Sequence, residues 1–561
     1  MANSYLDGFD LPPSSSEEGD QQESDTEGNQ EQVRPEPFLR YKAVRIFWPR
    51  IQFTYAVCDE TEIHSECVLP GEIAGQGFPS DAERQQQLEV AALNVGMVLL
   101  AWYWMACGHR RVVVSAGYLD SDQVAWWEWF YANCFAEFAF INGFTEEQIR
   151  LLIEVDAPQK DPPSWPKCKQ TASPPSLPNA KVLCLLGGGK DSLVVHQMLR
   201  DAGVSNLTWL YVGDGLQEFQ SSWRLQAAVQ RSGSPALVMA HDFQNEGLAK
   251  LRKSHRLHAC GHPWAALVGF DAVLVALLGC YDYVAVGNER SANFGNGVRV
   301  GSLEVNHQFD KSFEFESRMH AYVLQNVAPG VYYFSALQHL WEVQIAWLFC
   351  RRSASFLDIF ISCNDSDGLN EWCCDCDKCC FVFGLLAAWE SAGVLAKHFG
   401  KNLFEHPKLI QNFQNLLGIS TRVSEVEPWG PQNSGTSLAR KPFECVGTQE
   451  EVLLSLWLAR ETWRGEGLPL ALASLPLNGG QEHLDLLCDY NPRNLLPEWL
   501  LPCVTGDSTL VSPEHEEFRK PSDKLAYLWK AFWSTALSAI LGELKRRQAK
   551  TVREKWPLGL K

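Results

Sequence analysis

Basic residues are in short supply. The chain has 48 Lys and Arg against 67 Asp and Glu, a net charge of −19 over 561 residues. It has no dense basic block, so a nucleic-acid backbone, which is bound by neutralising phosphates, is not an expected partner. Uninterrupted apolar runs of membrane-spanning length, roughly 18 residues, are missing too, which argues against a membrane span. Residues 1–38 have neither the apolar centre of a signal peptide nor the basic character of a transit peptide. They hold ten Asp and Glu and one Arg, and read as a disordered acidic tail. No internal repeat is found. Cysteine, by contrast, is plentiful at 18 residues. Without a secretion signal, this count points to a reducing compartment and a cytoplasmic location.

A composition that is 46% hydrophobic and 20% charged is that of a globular protein long enough for two to four domains. Residues 39–156 read as an N-terminal α+β domain. The strings YKAVRIFW, QFTYAVC and RRVVVSAGY look like strands, and Arg84 to Cys107 looks like a long helix. The aromatic run WWEWFYANCFAEFAF reads as core at helical spacing. Seven prolines make 157–179 a semi-rigid linker. In 180–419, strands such as NLTWLYVG, ALVMAH and YDYVAVGNE alternate with helices, which predicts an α/β fold with a parallel sheet covered on both faces. Residues 420–442 read as a loop and 443–561 as mostly helical.

The most informative stretch is KVLCLLGGGKDS, Lys181 to Ser192. An apolar strand meets Gly187, Gly188 and Gly189, then Lys190, Asp191 and Ser192 open an amphipathic helix that Asp191 or Ser192 can cap. Glycines let a backbone approach a phosphate, and the helix start supplies N–H groups and the positive end of its dipole. The common phosphate loop, GxxxxGK[ST], is a different string. This one resembles the PP-loop of ATP pyrophosphatases, S-G-G-x-D-S, with Gly187 in place of the first Ser. That resemblance implies cleavage of ATP between its α and β phosphates. Because ligands bind beyond the carboxyl ends of parallel strands, Gly213 and Asp214 and the Gly287–Arg290 stretch are expected on the same rim.

Cys363, Cys373, Cys376 and Cys379 form a second constellation, with C-x2-C-x2-C spacing in its latter part. Four thiolates suit a closed, structural zinc site, and the spacing is similar to that of 7-cyano-7-deazaguanine synthase. An iron–sulfur cluster or an unmetallated set are the alternatives, and Cys374 is an alternative to Cys373.

Together GGGKDS, GNERSAN, EVNHQ with the following KS and FE, WCCDCDKC with FVF, and KPFECVGTQEE resemble the UDP-N-acetylmuramoyl-L-alanyl-L-glutamate epimerase family, MurL type, over roughly Leu39 to Leu500. The resemblance implies inversion of a terminal L-glutamate on a UDP-muropeptide, with ATP converted to AMP and diphosphate in the presence of Mg²⁺. On that reading Gly188, Gly189, Lys190 and Ser192 hold the β and γ phosphates and Asp191 coordinates Mg²⁺. Asn288, Glu289 and Arg290 face the α-phosphate or the substrate carboxylates. His307 is the expected base, since imidazole titrates near neutrality. Lys311, Glu304 and Cys445 are candidates for the opposite face. The rival readings are another PP-loop enzyme (a ligase, a nitrile-forming synthase or a tRNA thiolase) and a non-catalytic nucleotide-binding protein.

Overall fold

A computed structural model describes residues 36–158, 179–243, 245–363, 370–419, 441–464, 467–501 and 542. The acidic tail up to residue 35, most of the Pro-rich linker, most of the 420–442 loop and most of the chain after 501 lie outside the described residues. The strands in chain order are β1 (Phe38–Phe47), β2 (Arg50–Val57), β3 (Thr61–Val68), β4 (Arg111–Val114), β5 (Leu152–Val155), β6 (Lys181–Leu185), β7 (Asn206–Gly213), β8 (Ala236–Phe243), β9 (Tyr283–Val286), β10 (Arg299–Val300), β11 (Leu303–Glu304) and β12 (Tyr332–Ser335). β10 and β11 form a small ribbon. The other ten make one mostly parallel sheet, ordered β12-β9-β6-β7-β8-β3-β2-β1-β4-β5.

The strands on either side of the Pro-rich linker therefore belong to a single mixed α/β sheet. They join where β3 pairs antiparallel with β8, Ser65 opposite Phe243 and Val68 opposite Ala240. Side chains alternate across the sheet, and two cores follow from that alternation. On β6, Val182 and Cys184 enter one core with the helices Lys190–Asp201, Glu342–Arg352, Asp377–Ala387 and Gln449–Trp463. Leu183 enters the other, with Ala82–Cys107, Ser121–Cys134, Trp264–Gly279 and Phe313–Asn326.

Ala82–Cys107 is, by length and composition, apolar enough to cross a membrane, yet 94% of its most apolar window is buried inside the protein. A helix apolar all round is what a doubly covered core position requires. Gly96 lets it lie close to the sheet: a Cβ there would come within 1.9 Å of the Tyr41 hydroxyl oxygen. The Gly96 carbonyl accepts a hydrogen bond of 2.6 Å from Tyr55.

The sheet positions a site at β6. From β6 the chain proceeds to β7 and β8 on one side, then returns to β9 and β12 on the other. β6 pairs parallel with both β7 and β9. The loops after β6 and β9 thus meet at the point where the winding reverses, the place where such sheets open a crevice.

Candidate active site

The helix after β6 begins at Lys190, and its N-cap is Gly189, with no side-chain cap. This corrects the expected cap. Asp191 and Ser192 lie inside the first turn, and the Ser192 hydroxyl donates back to the Gly189 carbonyl at 3.0 Å. Gly188 takes φ +76°, a conformation glycine adopts without strain. Its carbonyl accepts from the Ile361 N–H at 3.0 Å, and a Cβ on Gly189 would sit 2.7 Å from the Ser362 hydroxyl. The glycine turn is therefore clasped by the segment leading into Cys363. A Cβ on Gly287 would lie 3.4 Å from Asp191, so the loops after β6 and β9 touch.

Lys190 is 1% exposed, and so is Glu342. The Lys190 ammonium donates to Asp191 at 2.6 Å and to Glu342. Burial alone would lower the lysine's pKa, but Asp191 and Glu342 more than offset it and raise it. Burial pushes Glu342 up to about 7 against the opposing pull of Lys190. Glu289 is buried and, despite that burial, held low by Lys311, Lys378 and Lys190. It accepts from Gln308 Nε2 at 2.7 Å, and Lys441 donates to the other end of Gln308 at 2.9 Å. Three lysines distant in sequence thus act on one carboxylate beside the glycine turn.

This polar cluster continues to a thiol. Lys311 Nζ donates to Cys445 Sγ at 3.2 Å. His307 stands near enough to the same sulfur for each to shift the other's titration, and its Nδ1 lies 2.8 Å from Glu137 Oε2. Lys378 donates to the Cys445 carbonyl. Burial would raise the Cys445 pKa, but Lys311, His307 and Lys378 bring it down to about 5. His307 moves the other way. Burial favours its neutral ring, yet Glu137 and Cys445 hold it well above its usual value. These shifts favour the thiolate of Cys445 and the protonated ring of His307. A protonated His307 is a proton donor, whereas an imidazole titrating near neutrality is a base.

Chain geometry explains the convergence. Asn296 accepts from the His307 N–H at 2.8 Å and donates to the Lys441 and Pro442 carbonyls, tying the His307 loop to the Cys445 segment. Glu451 accepts from Ser291, from the Thr448 N–H and from the Glu342 N–H at 2.6, 2.8 and 2.6 Å, so KPFECVGTQEE is fastened to both GNERSAN and the Glu342 helix.

Not every expected residue joins this cluster. Lys311 and Cys445 do join it, in contact with each other at 3.2 Å; the others stand apart. Glu304 is exposed on β11. Asn288 is buried, and its carbonyl accepts from Ser335. Arg290 stacks over Trp341, 4.3 Å from the ring centroid, and lies 2.7 Å from Asp489. Gly213 closes β7, and the Asp214 N–H donates to Glu218 at 2.9 Å. Gly187 is exposed at the rim, where a Cβ would meet open space.

The sulfurs of Cys363, Cys373, Cys376 and Cys379 all lie within 4.8 Å of one another, a set that can hold a metal ion. Cys376 caps the helix Asp377–Ala387, and the Asp375 N–H points at Cys373 at 3.5 Å. Cys374 faces away, donating to the Phe399 carbonyl at 3.2 Å, so Cys373 is the member of that pair in the cluster.

The MurL N-terminal domain matches residues 42–336, and the MurL C-terminal domain matches residues 359–430. The chain is 28% identical over 425 residues to a Xanthomonas oryzae pv. oryzae protein named UDP-N-acetyl-alpha-D-muramoyl-L-alanyl-L-glutamate epimerase, covering 74% of this chain and 84% of that protein. Proteins of the same name from Micromonospora sp. and Salinispora tropica are each 29% identical over 70% of this chain, and 82% and 80% of their lengths are covered.

Proposed function

Because the chain belongs to the MurL family, we propose that this isomerase inverts the terminal L-glutamate of UDP-N-acetylmuramoyl-L-alanyl-L-glutamate to its D form after adenylating that residue's carboxylate with ATP. The observation that carries this reading is the continuity between the glycine turn and the Cys445–His307–Glu137–Lys311 group, linked through Glu289, Lys378 and Lys190. One end suits a triphosphate and the other suits proton transfer.

The need for ATP has a physical basis. Removing a proton beside a carboxylate would place a second negative charge next to the first. An acyl-adenylate lacks that charge, and its carbonyl draws electrons from the α-carbon. The backbone of Gly188 and Gly189, the helix start, Lys190 and Ser192 orient the β and γ phosphates. Asp191, whose carboxylate is the more exposed partner of Lys190, would hold a Mg²⁺ ion. That ion would neutralise charge on the leaving diphosphate. Lys311 and Lys378 offset negative charge that develops near Cys445, and the His307–Cys445 pair supplies the acid–base groups. The four-cysteine set fits zinc with no open position, hence a structural role. It fixes the start of the helix that delivers Lys378. Dependence on ATP and on free thiols suits a cytoplasmic enzyme.

The experiment separates the two halves. Asp191→Ala should abolish both AMP formation and α-proton exchange. His307→Ala should retain adenylation, read as exchange of labelled diphosphate into ATP, and lose α-proton exchange. Unimpaired proton exchange in His307→Ala would remove His307 from the mechanism.

A further inference from the structure

A thiol beside a lysine ammonium and an imidazole, with a carboxylate behind the ring, is the arrangement of a nucleophile rather than of two bases facing one carbon. Two groups that pass a proton through a stereocentre stand on its opposite faces. Cys445 and His307 are held together, Asn296 tying the His307 loop to the Cys445 segment and Lys311 standing 3.2 Å from the sulfur, on one side of whatever they act upon. The chain Cys445–His307–Glu137 repeats the nucleophile, ring and orienting acid of covalent catalysis. The ring is closely seated, since a Cβ on Gly261 would stand 3.0 Å from His307 Cε1. Cys445 is of intermediate exposure as a residue, unlike the fully buried Cys184.

From this geometry, and resting on the adenylation reading above, we propose that Cys445 takes the glutamyl group from its adenylate as a thioester, and that inversion occurs on the thioester. The thiolate attacks the acyl carbon. A carbon–sulfur bond forms, the carbon–oxygen bond to the phosphate breaks, and AMP departs with that electron pair. Sulfur overlaps poorly with a carbonyl, so a thioester acidifies its α-carbon and survives water longer than an acyl phosphate. Acylation also consumes the negative charge that kept His307 protonated. The ring gives its proton to the departing phosphate and becomes the neutral base that the next step requires. It takes the α-proton, and Lys311, 3.2 Å from the sulfur, faces the enolate oxygen. A proton from solvent returns on the other face, and the ring releases to solvent the proton it took. Water then cleaves the carbon–sulfur bond, yielding the carboxylate and the thiolate, with one proton to His307 and one to solvent. No electrons are gained or lost.

The test uses the full-length enzyme with ATP, Mg²⁺ and the UDP-muropeptide, quenched in acid at intervals through a single turnover. Mass spectrometry of the Cys445 peptide should show the substrate less one water, and neutral hydroxylamine should remove it. C445A should lack both the adduct and epimerisation while still exchanging diphosphate into ATP. Epimerisation by C445A, at even a tenth of the wild-type rate, would overturn the proposal. A wild-type turnover with no adduct at any time would overturn it too, leaving Cys445 an acid–base or positioning residue if C445A is inactive. Absence of diphosphate exchange in the wild type would instead strike the adenylation reading beneath it, and the thioester with it.

Discussion

Lys311→Met should cost the Cys445 thiolate its main support. Lys311 is the leading group opposing the burial that pushes this thiol up, and it stands 3.2 Å from the sulfur. At that distance, with an effective dielectric of about 20, the attraction is roughly 5 kcal/mol. At about 1.4 kcal/mol per pKa unit this corresponds to roughly four units. Water entering the vacated space, together with His307 and Lys378, recovers part of it. The thiol should therefore move from about 5 to roughly 7 in the variant. The assay is the rate of iodoacetamide alkylation between pH 4 and 9, read on the Cys445 peptide so that the other cysteines do not contribute. Wild-type labelling should be flat above about pH 6 and fall only in acid; the variant's should still be rising at neutrality. An unmoved midpoint would refute the assignment of Lys311 as the counter-ion.

Gly261→Ala should displace the His307 ring by a few tenths of an ångström, slowing epimerisation roughly tenfold while diphosphate exchange continues, because small misplacements of a reacting group are expensive. Burial pushes the Glu316 carboxyl up to about 8 from an ordinary 4.5. Between those values the folded state keeps a proton that the unfolded state has lost, so stability falls as pH rises through that window. Glu316→Gln should remove this part of the slope, which thermal unfolding at pH 5 and pH 8 would reveal; an unchanged slope would assign it to other groups. Cys376→Ser should abolish bound zinc by elemental analysis and lower the melting temperature. Retention of the full metal content would show that Cys376 is not a ligand.

Much of the architecture was legible because its signals are local. β6 and β7 are apolar runs ended by glycine, and the aromatic helices read as core. β3 was not read. Its outward residues, Glu62, His64 and Glu66, break the apolar run, and only its pairing with β2 and β8 reveals it as the bridge between the two halves of the sheet. The candidate site divides in the same way. Lys190, Asp191, His307, Lys311 and Cys445 stood out by type and motif. Glu137 did not, since it sits in an aromatic stretch and meets His307 across 170 positions. Lys378 is masked by the cysteines around it, and Glu342 by its ordinary place in the first turn of an amphipathic helix. The upward shift on His307 is hidden for the same reason. A ring's protonation is set by neighbours that no local window contains.

The measurement that bears most directly on the account is epimerisation in deuterium oxide with nucleotide products followed in parallel. Each inversion should place one deuterium at the glutamate α-carbon and release one AMP and one diphosphate. Inversion without ATP, or inversion accompanied by ADP and phosphate, would contradict it.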